Sequence, residues 1–230
     1  MKLTVRSYQK ELLDADNIPM EAIRQNMVEL DTINTLLGGH RISISGFKKL
    51  LGNKKRISVC EIGCGGGDNL IALQKWCNKN NIHLSTIGID IKKEVIEFAS
   101  ARNELVNTTF IISDYSIVHF DQQPDIIFSS LFCHHFTNEA LIKQFTWMKA
   151  NCNIGFFIND LHRHSLAYYS IKILTGIFSK SYLVKHDAPL SVARGFVKNE
   201  LKKLLLIAGM QSASVEWKWA FRYLIVYQHG

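Results

Sequence analysis

The fold is decided by the stretch between residues 57 and 69, which reads ISVCEIGCGGGDN. A short apolar run typical of a strand leads into four glycines, and a helical pattern begins at Asn69. Glycines at this point let the backbone turn sharply and let a ligand approach main-chain atoms without a Cβ in the way. The dinucleotide fingerprint fails because Asp68 stands where its third glycine belongs, and no Walker-type Gly-Lys pair follows. The stretch therefore predicts a strand, a loop for a nucleoside-type cofactor, and a helix.

Apolar runs and amphipathic stretches continue to alternate after this loop. Strand-like runs at 83–90, 108–114, 124–132 and 153–160 are interspersed with helical patterns, at 69–77, 92–103 and 138–151. Strand, helix, strand repeated in this way is typical of a parallel sheet with helices on both faces. Most of the runs end in polar residues or glycine, at the edge where open α/β sheets bind ligands.

The end of the chain departs from this alternation. Two strand-like runs, 212–219 and 222–228, are separated by only two residues. That spacing leaves no room for a crossover helix and predicts a hairpin. We therefore predict an α/β fold with a doubly wound, Rossmann-like sheet of seven strands, mostly parallel, in which the last strand is antiparallel.

Three prolines in 230 residues leave no proline-rich linker, so a single domain is predicted for 1–230. Apolar spacing from about Ser7 to Leu37 predicts two helices broken near Pro19, which form an N-terminal helical lid within 1–55. The sheet and its helices then occupy the core at 56–230.

An α insertion of about 163–196 is predicted after the fifth strand. Its aromatic and aliphatic residues between 168 and 178 have helical spacing. Either core packing or a role as one wall of an apolar pocket explains them.

The formal charge of +7 is concentrated near the end of the chain. Up to Asp160 there are 17 basic and 17 acidic residues, whereas the remaining seventy residues hold ten basic and three acidic ones. A nucleic-acid patch, a membrane-facing surface and a site for an anionic substrate all remain open. Five cysteines without a C-x-x-C pair, no signal-peptide pattern and no apolar run of bilayer length predict a cytoplasmic chain without a membrane span.

The loop pattern E-x-G-C-G-x-G resembles the first motif of class I S-adenosylmethionine (SAM)-dependent methyltransferases. Asp90 ends the second strand, where an acidic residue of this family binds the ribose hydroxyls of SAM. Asp114-Tyr115 follows the third strand, where the family contacts the adenine. The closing hairpin also matches the family. The resemblance implies SAM as cofactor, S-adenosylhomocysteine (SAH) as product, and a cofactor-binding set of Glu61, Gly63, Cys64, Gly65, Asp90, Ile91, Asp114, Tyr115 and Ser130.

The methyl acceptor is expected to lie near the residues that follow strands four and five. Histidine is the side chain best suited to remove a hydroxyl proton near pH 7. We take His135 and His162 as candidate general bases, with Asp160 orienting one imidazole. The candidate substrate-binding residues are His134, His186, Tyr169 and Arg194. No metal site is expected, because a second well-placed carboxylate is missing beside the histidines.

The runs D-L-H-R at 160–163 and H-D-A-P-L-S-V-A-R-G-F at 186–196, together with L-G-G-H at 37–40, resemble small-molecule methyltransferases of the ubiquinone/menaquinone-methylase-like group. This resemblance implies methyl transfer to the hydroxyl of an aromatic, quinone-like or polyketide-type metabolite, which the basic residues could favour if it is anionic or carrier-bound. The alternatives are an RNA or DNA methyltransferase and a catalytically silent SAM-binding partner protein. The run S-S-L-F after strand four disfavours nucleic acid, since amino-group methylases of this superfamily commonly carry an N/D-P-P-Y/F motif there. The oligomeric state stays open.

Overall fold

The computed structural model describes residues 3–15 and 17–230; residues 1, 2 and 16 of the predicted lid lie outside it. Seven strands form one sheet, and they are β1 (Arg56–Ile62), β2 (His83–Asp90), β3 (Thr108–Ile112), β4 (Ile126–Ser130), β5 (Gly155–Leu161), β6 (Ser214–Lys218) and β7 (Arg222–Gln228). Their order is β3-β2-β1-β4-β5-β7-β6. Strands β1 to β5 are parallel, and β7 is antiparallel to both β5 and β6. The predicted sheet and its antiparallel last strand are confirmed.

Helices cover both faces of this sheet. The helices in the described residues are α1 (Met20–Leu36), α2 (Gly39–Leu51), α3 (Asp68–Lys79), α4 (Lys93–Ser100), α5 (Asn138–Ala150), α6 (Ser165–Phe178), α7 (Tyr182–Arg194) and α8 (Lys198–Ile207). Buried side chains of α2, α3 and α4 form the core on one face, and those of α5 and α8 form it on the other. The carboxyl ends of the parallel strands stay open between these layers, as a doubly wound sheet requires.

The N-terminal helices differ from the prediction. The helical pair is α1 and α2, and residues 3–11 form no regular helix before a short 3-10 turn at Leu12–Asp14. Partners from distant elements replace the helical hydrogen bonds: the amides of Leu12 and Leu13 donate to the Asp187 carboxylate at 2.8 and 3.0 Å. The prediction of a helix from Ser7 was therefore wrong, because tertiary contacts outweigh local apolar spacing there.

Helix α2 is part of the core rather than of a lid. It packs on β5 and β7, where a Cβ at Gly46 would lie 2.6 Å from the Phe157 ring. Glycine at this position therefore lets the helix approach the sheet closely. This helix brings His40 to the edge of the sheet that carries the glycine loop.

The insertion after β5 forms a hairpin of the two helices α6 and α7. The side chains of Ala167 and Thr175 are buried on α6, whereas most of its large apolar side chains are exposed. Core packing therefore does not explain the apolar spacing of this helix. In the described part of the chain, no helix is long and apolar enough to cross a membrane.

Candidate active site

The loop between β1 and α3 has the geometry that its glycines predict. Gly63, Gly65 and Gly67 adopt φ angles of +64°, +53° and +76°. A Cβ would lie 2.1 Å from the Phe132 ring at Gly63 and 2.4 Å from Leu105 at Gly67. The turn therefore depends on glycine for both its conformation and its packing. Gly63, Gly65 and Gly66 of this loop line a cavity of about 670 Å³.

Two carboxylates lie beside this loop. Asp90 accepts hydrogen bonds from the backbone amides of Gly65 at 3.1 Å and Lys92 at 3.0 Å. Glu61 is buried, and its Oε1 accepts from the Asn69 side chain at 3.1 Å. Burial raises the pKa of Glu61 well above its ordinary value. Its second oxygen, Oε2, is buried without a hydrogen-bond partner among the described residues.

These residues fit SAM. The orphaned Oε2 of Glu61 and the equally unpartnered Nδ2 of Asn26 both belong to side chains that line the cavity. A buried acceptor without a partner is costly, and an ammonium donor from a ligand would satisfy it. Cys64, Ile91, Asp114, Tyr115 and Ser130 line the same cavity, so the structure brings the predicted cofactor-binding residues together.

The lid helix α1 is connected to this end of the cavity through His40. The His40 ring lies 3.0 Å from Asp31 of α1 and 3.1 Å from Asn69 of α3. Asn69 in turn donates to Glu61. A hydrogen-bonded path therefore runs from the lid to the carboxylate that would hold the cofactor.

The other end of the cavity contains a buried His134 between two carboxylates. Its Nδ1 lies 2.8 Å from Asp160 Oδ1, and its Nε2 lies 3.5 Å from Glu11 Oε1. Burial alone lowers the pKa of His134, but Asp160 and Glu11 outweigh it and raise the pKa to about 9. His134 is thus an imidazolium at neutral pH and is unsuited to accept a proton. Asp160 orients this ring, not that of His135 or His162.

His135 lies next to this ion pair and lines the cavity with a partly exposed ring. Its Nδ1 is 3.4 Å from Asp14 Oδ1, and its Nε2 is 3.7 Å from Glu11 Oε2. Although burial raises the pKa of Asp14, His135 and the Glu11 amide lower it to about 2. The ring therefore faces a carboxylate on each nitrogen.

Five of the predicted residues do not line the cavity. Asp160 is one of them, because it is buried and pairs with His134. His162 lies beyond β5, where Trp217 Nε1 donates to its Nδ1 at 3.3 Å. Tyr169 and His186 are turned toward solvent on α6 and α7. Arg194 is buried, but it donates to the carbonyl oxygens of His134 and His135 and so holds the backbone rather than an acceptor.

Three residues that line the acceptor end were not predicted from the sequence: Glu11, Asp14 and Arg222. The first two come from a 3-10 turn more than a hundred residues away in sequence from the histidines, and no sequence signal indicates their position. The position of Arg222, in contrast, could have been predicted from the sequence. This residue begins the antiparallel last strand and pairs with Leu161, so it must lie at the carboxyl edge of the sheet. Burial lowers its pKa to about 10, which leaves it charged at neutral pH.

Glu11, His134 and His135 are also of the types that bind metals, and their ligand atoms lie within 4.8 Å of one another. The premise that no second carboxylate is near the histidines was therefore wrong. However, a protonated His134 already balances the buried Asp160 and Glu11 carboxylates, and metal ligation would require it to be neutral.

Solved structures share this fold at low sequence identity. The plantazolicin methyltransferase BpumL in complex with SAH is 15% identical, with 92% of this chain and 95% of that chain covered and a TM-score of 0.67. Magnesium protoporphyrin IX methyltransferase (ChlM) from Synechocystis PCC 6803 with bound SAM is 12% identical, with 95% and 88% covered and a TM-score of 0.55. Human N-acetylserotonin methyltransferase in complex with SAM is 13% identical, with 92% and 57% covered and a TM-score of 0.67.

The chain spans 60% of the length of another structural neighbour, from Nostoc punctiforme. A search among curated proteins found no match. A family model described as a methyltransferase domain matches residues 59–173. Because the match takes in half of the chain and includes the glycine loop, the protein belongs to this family of class I SAM-dependent methyltransferases.

Proposed function

We propose that the protein transfers a methyl group from SAM to the hydroxyl of an apolar small molecule of aromatic, quinone-like or polyketide type. The observation that supports this proposal is the continuity of one cavity, which extends from the glycine loop to the ring of His135. Between these ends its walls are largely apolar, with side chains such as Ile171, Leu174 and Val184. An acceptor bound there would have its hydroxyl between the cofactor and an imidazole.

At the cofactor end, the side chains of this protein would bind and orient SAM. Glu61 would accept from the amino group of SAM, and Asp90 would accept from its ribose hydroxyls. When bound, SAM supplies an electrophilic methyl group. The protein mainly has to align an acceptor lone pair with that methyl carbon, and such positioning contributes much of the rate enhancement.

At the acceptor end, His135 is the proposed general base. The Nε2 atom lies 3.7 Å from Glu11, beyond hydrogen-bond distance, so this nitrogen is free to take the hydroxyl proton. Asp14 faces Nδ1 on the opposite side of the ring. The two carboxylates would stabilise the imidazolium that forms. Asp160 acts indirectly, since it holds His134, whose ring packs against His135 with centroids 4.4 Å apart.

Arg222 favours an acceptor with a negative or strongly polar oxygen. Its guanidinium is buried at the cavity wall, where it donates to Asn34 Oδ1 at 2.7 Å and to Asn159 Oδ1 at 3.4 Å. Both partners are neutral amides, so its charge is not neutralised by them. An anionic group on the acceptor would provide that compensation.

A nucleic-acid acceptor is disfavoured by the same geometry. Of the described residues that line the cavity, only Lys92 and Arg222 are lysine or arginine, which is too few to follow a phosphate backbone, and the walls are largely apolar. A catalytically silent binding protein is the other alternative. Such a protein would not need a histidine held between two carboxylates in the cavity in order to bind SAM.

The test combines turnover and binding. We expect His135→Asn to lose at least about a hundredfold in methyl transfer, as is usual for a general base. Its affinity for SAH, measured by calorimetry, should not change. Transfer would be measured with methyl-labelled SAM and a panel of alkylphenols and hydroquinones.

His119→Asn, at an exposed histidine, is the matched control. His162→Asn should also keep full turnover, because that ring lies outside the cavity. Full turnover by His135→Asn would refute the base assignment. SAH binding without transfer to any member of the panel would favour the silent binding protein.

A further inference from the structure

Helix α6 has a solvent-facing apolar surface, which we call the α6 face and define as Leu166, Tyr169, Ile173, Ile177 and Phe178. These side chains are 53% to 75% exposed. The spacing of the first four, three or four residues apart, places them on one side of the helix. Scattered apolar residues at a surface are ordinary, but a continuous apolar stripe on one helix indicates an interaction site.

Lysines flank the α6 face. Lys172, Lys180 and Lys185 are exposed on α6, at the turn after it and on α7. The single acidic residue between 163 and 196 is Asp187. Its carboxylate is buried and accepts the amides of Leu12 and Leu13, so it does not neutralise the lysines. Glu29 of α1 does reach the turn after α6, where its carboxylate accepts from the amides of Lys180 and Ser181 at 3.0 Å, so three lysines face one carboxylate here. The basic excess of the sequence is thus partly located around this stripe.

We propose that the α6 face binds an anionic lipid bilayer. Apolar side chains with flanking lysines and aromatic residues are what an interfacial helix presents to headgroups and acyl chains. The stripe is a convex helix surface and not a shaped groove, which suits a fluid bilayer. A second copy fits less well, because two α6 faces in contact would bring their lysines together.

The position of α6 places the lipid-binding surface next to the cavity. The opposite side of the helix, at Ala167, Ile171 and Leu174, lines the cavity. Trp219, 69% exposed, lines the same cavity. An enzyme bound through the α6 face would therefore have its cavity beside the bilayer, where an apolar acceptor dissolves. This last step rests on the proposed function, whereas lipid binding does not.

Flotation with lipid vesicles tests the proposal with the full chain. We expect binding to phosphatidylcholine vesicles that contain phosphatidylglycerol and much weaker binding to phosphatidylcholine alone. Replacing Ile173 and Ile177 together by Asn should lower the partition coefficient by at least about tenfold, since each buried isoleucine contributes well over the 1.4 kcal/mol that a factor of ten requires. Each of Lys172→Gln and Lys180→Gln should lower it by about fivefold, from about 1 kcal/mol per lysine.

The matched control is the double replacement of Leu206 and Ile207 by Asn on α8, where both side chains are similarly exposed. Circular dichroism and SAH binding would confirm that every variant is folded. The proposal is overturned if the wild type does not float with anionic vesicles, or if the α6 and α8 variants bind equally. It is also overturned if sedimentation shows a dimer that only the α6 variant dissociates. Because methyl transfer to a water-soluble acceptor should be unchanged in the α6 variant, failure of lipid binding and failure of catalysis can be told apart.

Discussion

Replacing Asp160 by Asn should remove a pH-dependent part of the stability. Asp160 and His134 are 1% and 2% exposed, and their side chains are 2.8 Å apart. With the contribution of Glu11, the pKa of His134 rises from 6.5 to about 9, which corresponds to about 3 kcal/mol. Since the folded-state pKa is the higher one, this stabilisation is complete below about pH 6.5 and is lost as the pH rises through 9.

Urea unfolding between about pH 6 and pH 10 measures this effect. Because Glu11 supplies part of this shift, we expect Asp160→Asn to be less stable than wild type by up to about 3 kcal/mol at pH 6, with most of that difference gone at pH 10. Burial also raises the pKa of thiols such as Cys60, which destabilises the fold at high pH, but this contribution cancels in the difference. Asp121→Asn, at an exposed carboxylate, is the control. A wild-type-to-variant difference that is the same at pH 6 and pH 10 would refute the assignment of a buried imidazolium.

Three further predictions concern the cavity. Gly63→Ala should abolish SAH binding in calorimetry, because φ is +64° and a Cβ would meet Phe132 at 2.1 Å, whereas Gly176→Ala, with open space around it, should bind normally. SAH affinity of the wild type should rise as the pH rises above the ordinary range of a glutamate pKa, because burial favours the protonated form of Glu61 and the ligand ammonium favours the ionised form. Glu61→Gln should bind weakly and show no such dependence. Methyl transfer should survive treatment with a chelator, since protonated His134 is not a ligand, and activity that is lost to the chelator and restored by zinc would contradict this.

The sheet could be predicted from the sequence because its signals are local. Each strand is an apolar run of the right length, and the loop after β1 contains glycines at three positive φ angles. The antiparallel direction of β7 could be predicted because only two residues separate the last two strand-like runs. These features depend on neighbouring residues, so one sequence is sufficient to find them.

The N-terminal segment could not be predicted in the same way. The spacing around Leu12 and Leu13 suits a helix, but the Asp187 carboxylate binds the two amides from a helix far along the chain. Helix α2 was not predicted because the apolar spacing ends at Leu37, whereas in the structure Gly38, with a left-handed φ of +74°, precedes a new helix.

The candidate site likewise has one end that could be predicted from the sequence and one that could not. The cofactor end is built from the loop and the strand ends, so the pattern located Glu61 and Asp90. The acceptor end depends on which side chains meet across the fold. The sequence indicated the histidines at 134 and 135, but it did not show that Asp160 pairs with His134 and leaves His135 to the N-terminal turn.

The contacts of the N-terminal segment also restrict where an acceptor can enter. Arg6 donates to the carbonyl oxygens of His134, Phe136 and Arg194, and the Ser7 amide donates to that of Ala193. Together with the Asp187 contacts, these bonds fix the segment against α7 and the histidines. Opening the cavity here would separate the buried Glu11 from His134 and leave charges unpaired, which is costly. Entry beside α6 and the exposed Trp219 breaks none of these bonds, so the acceptor should enter on the side that the α6 face presents to a bilayer.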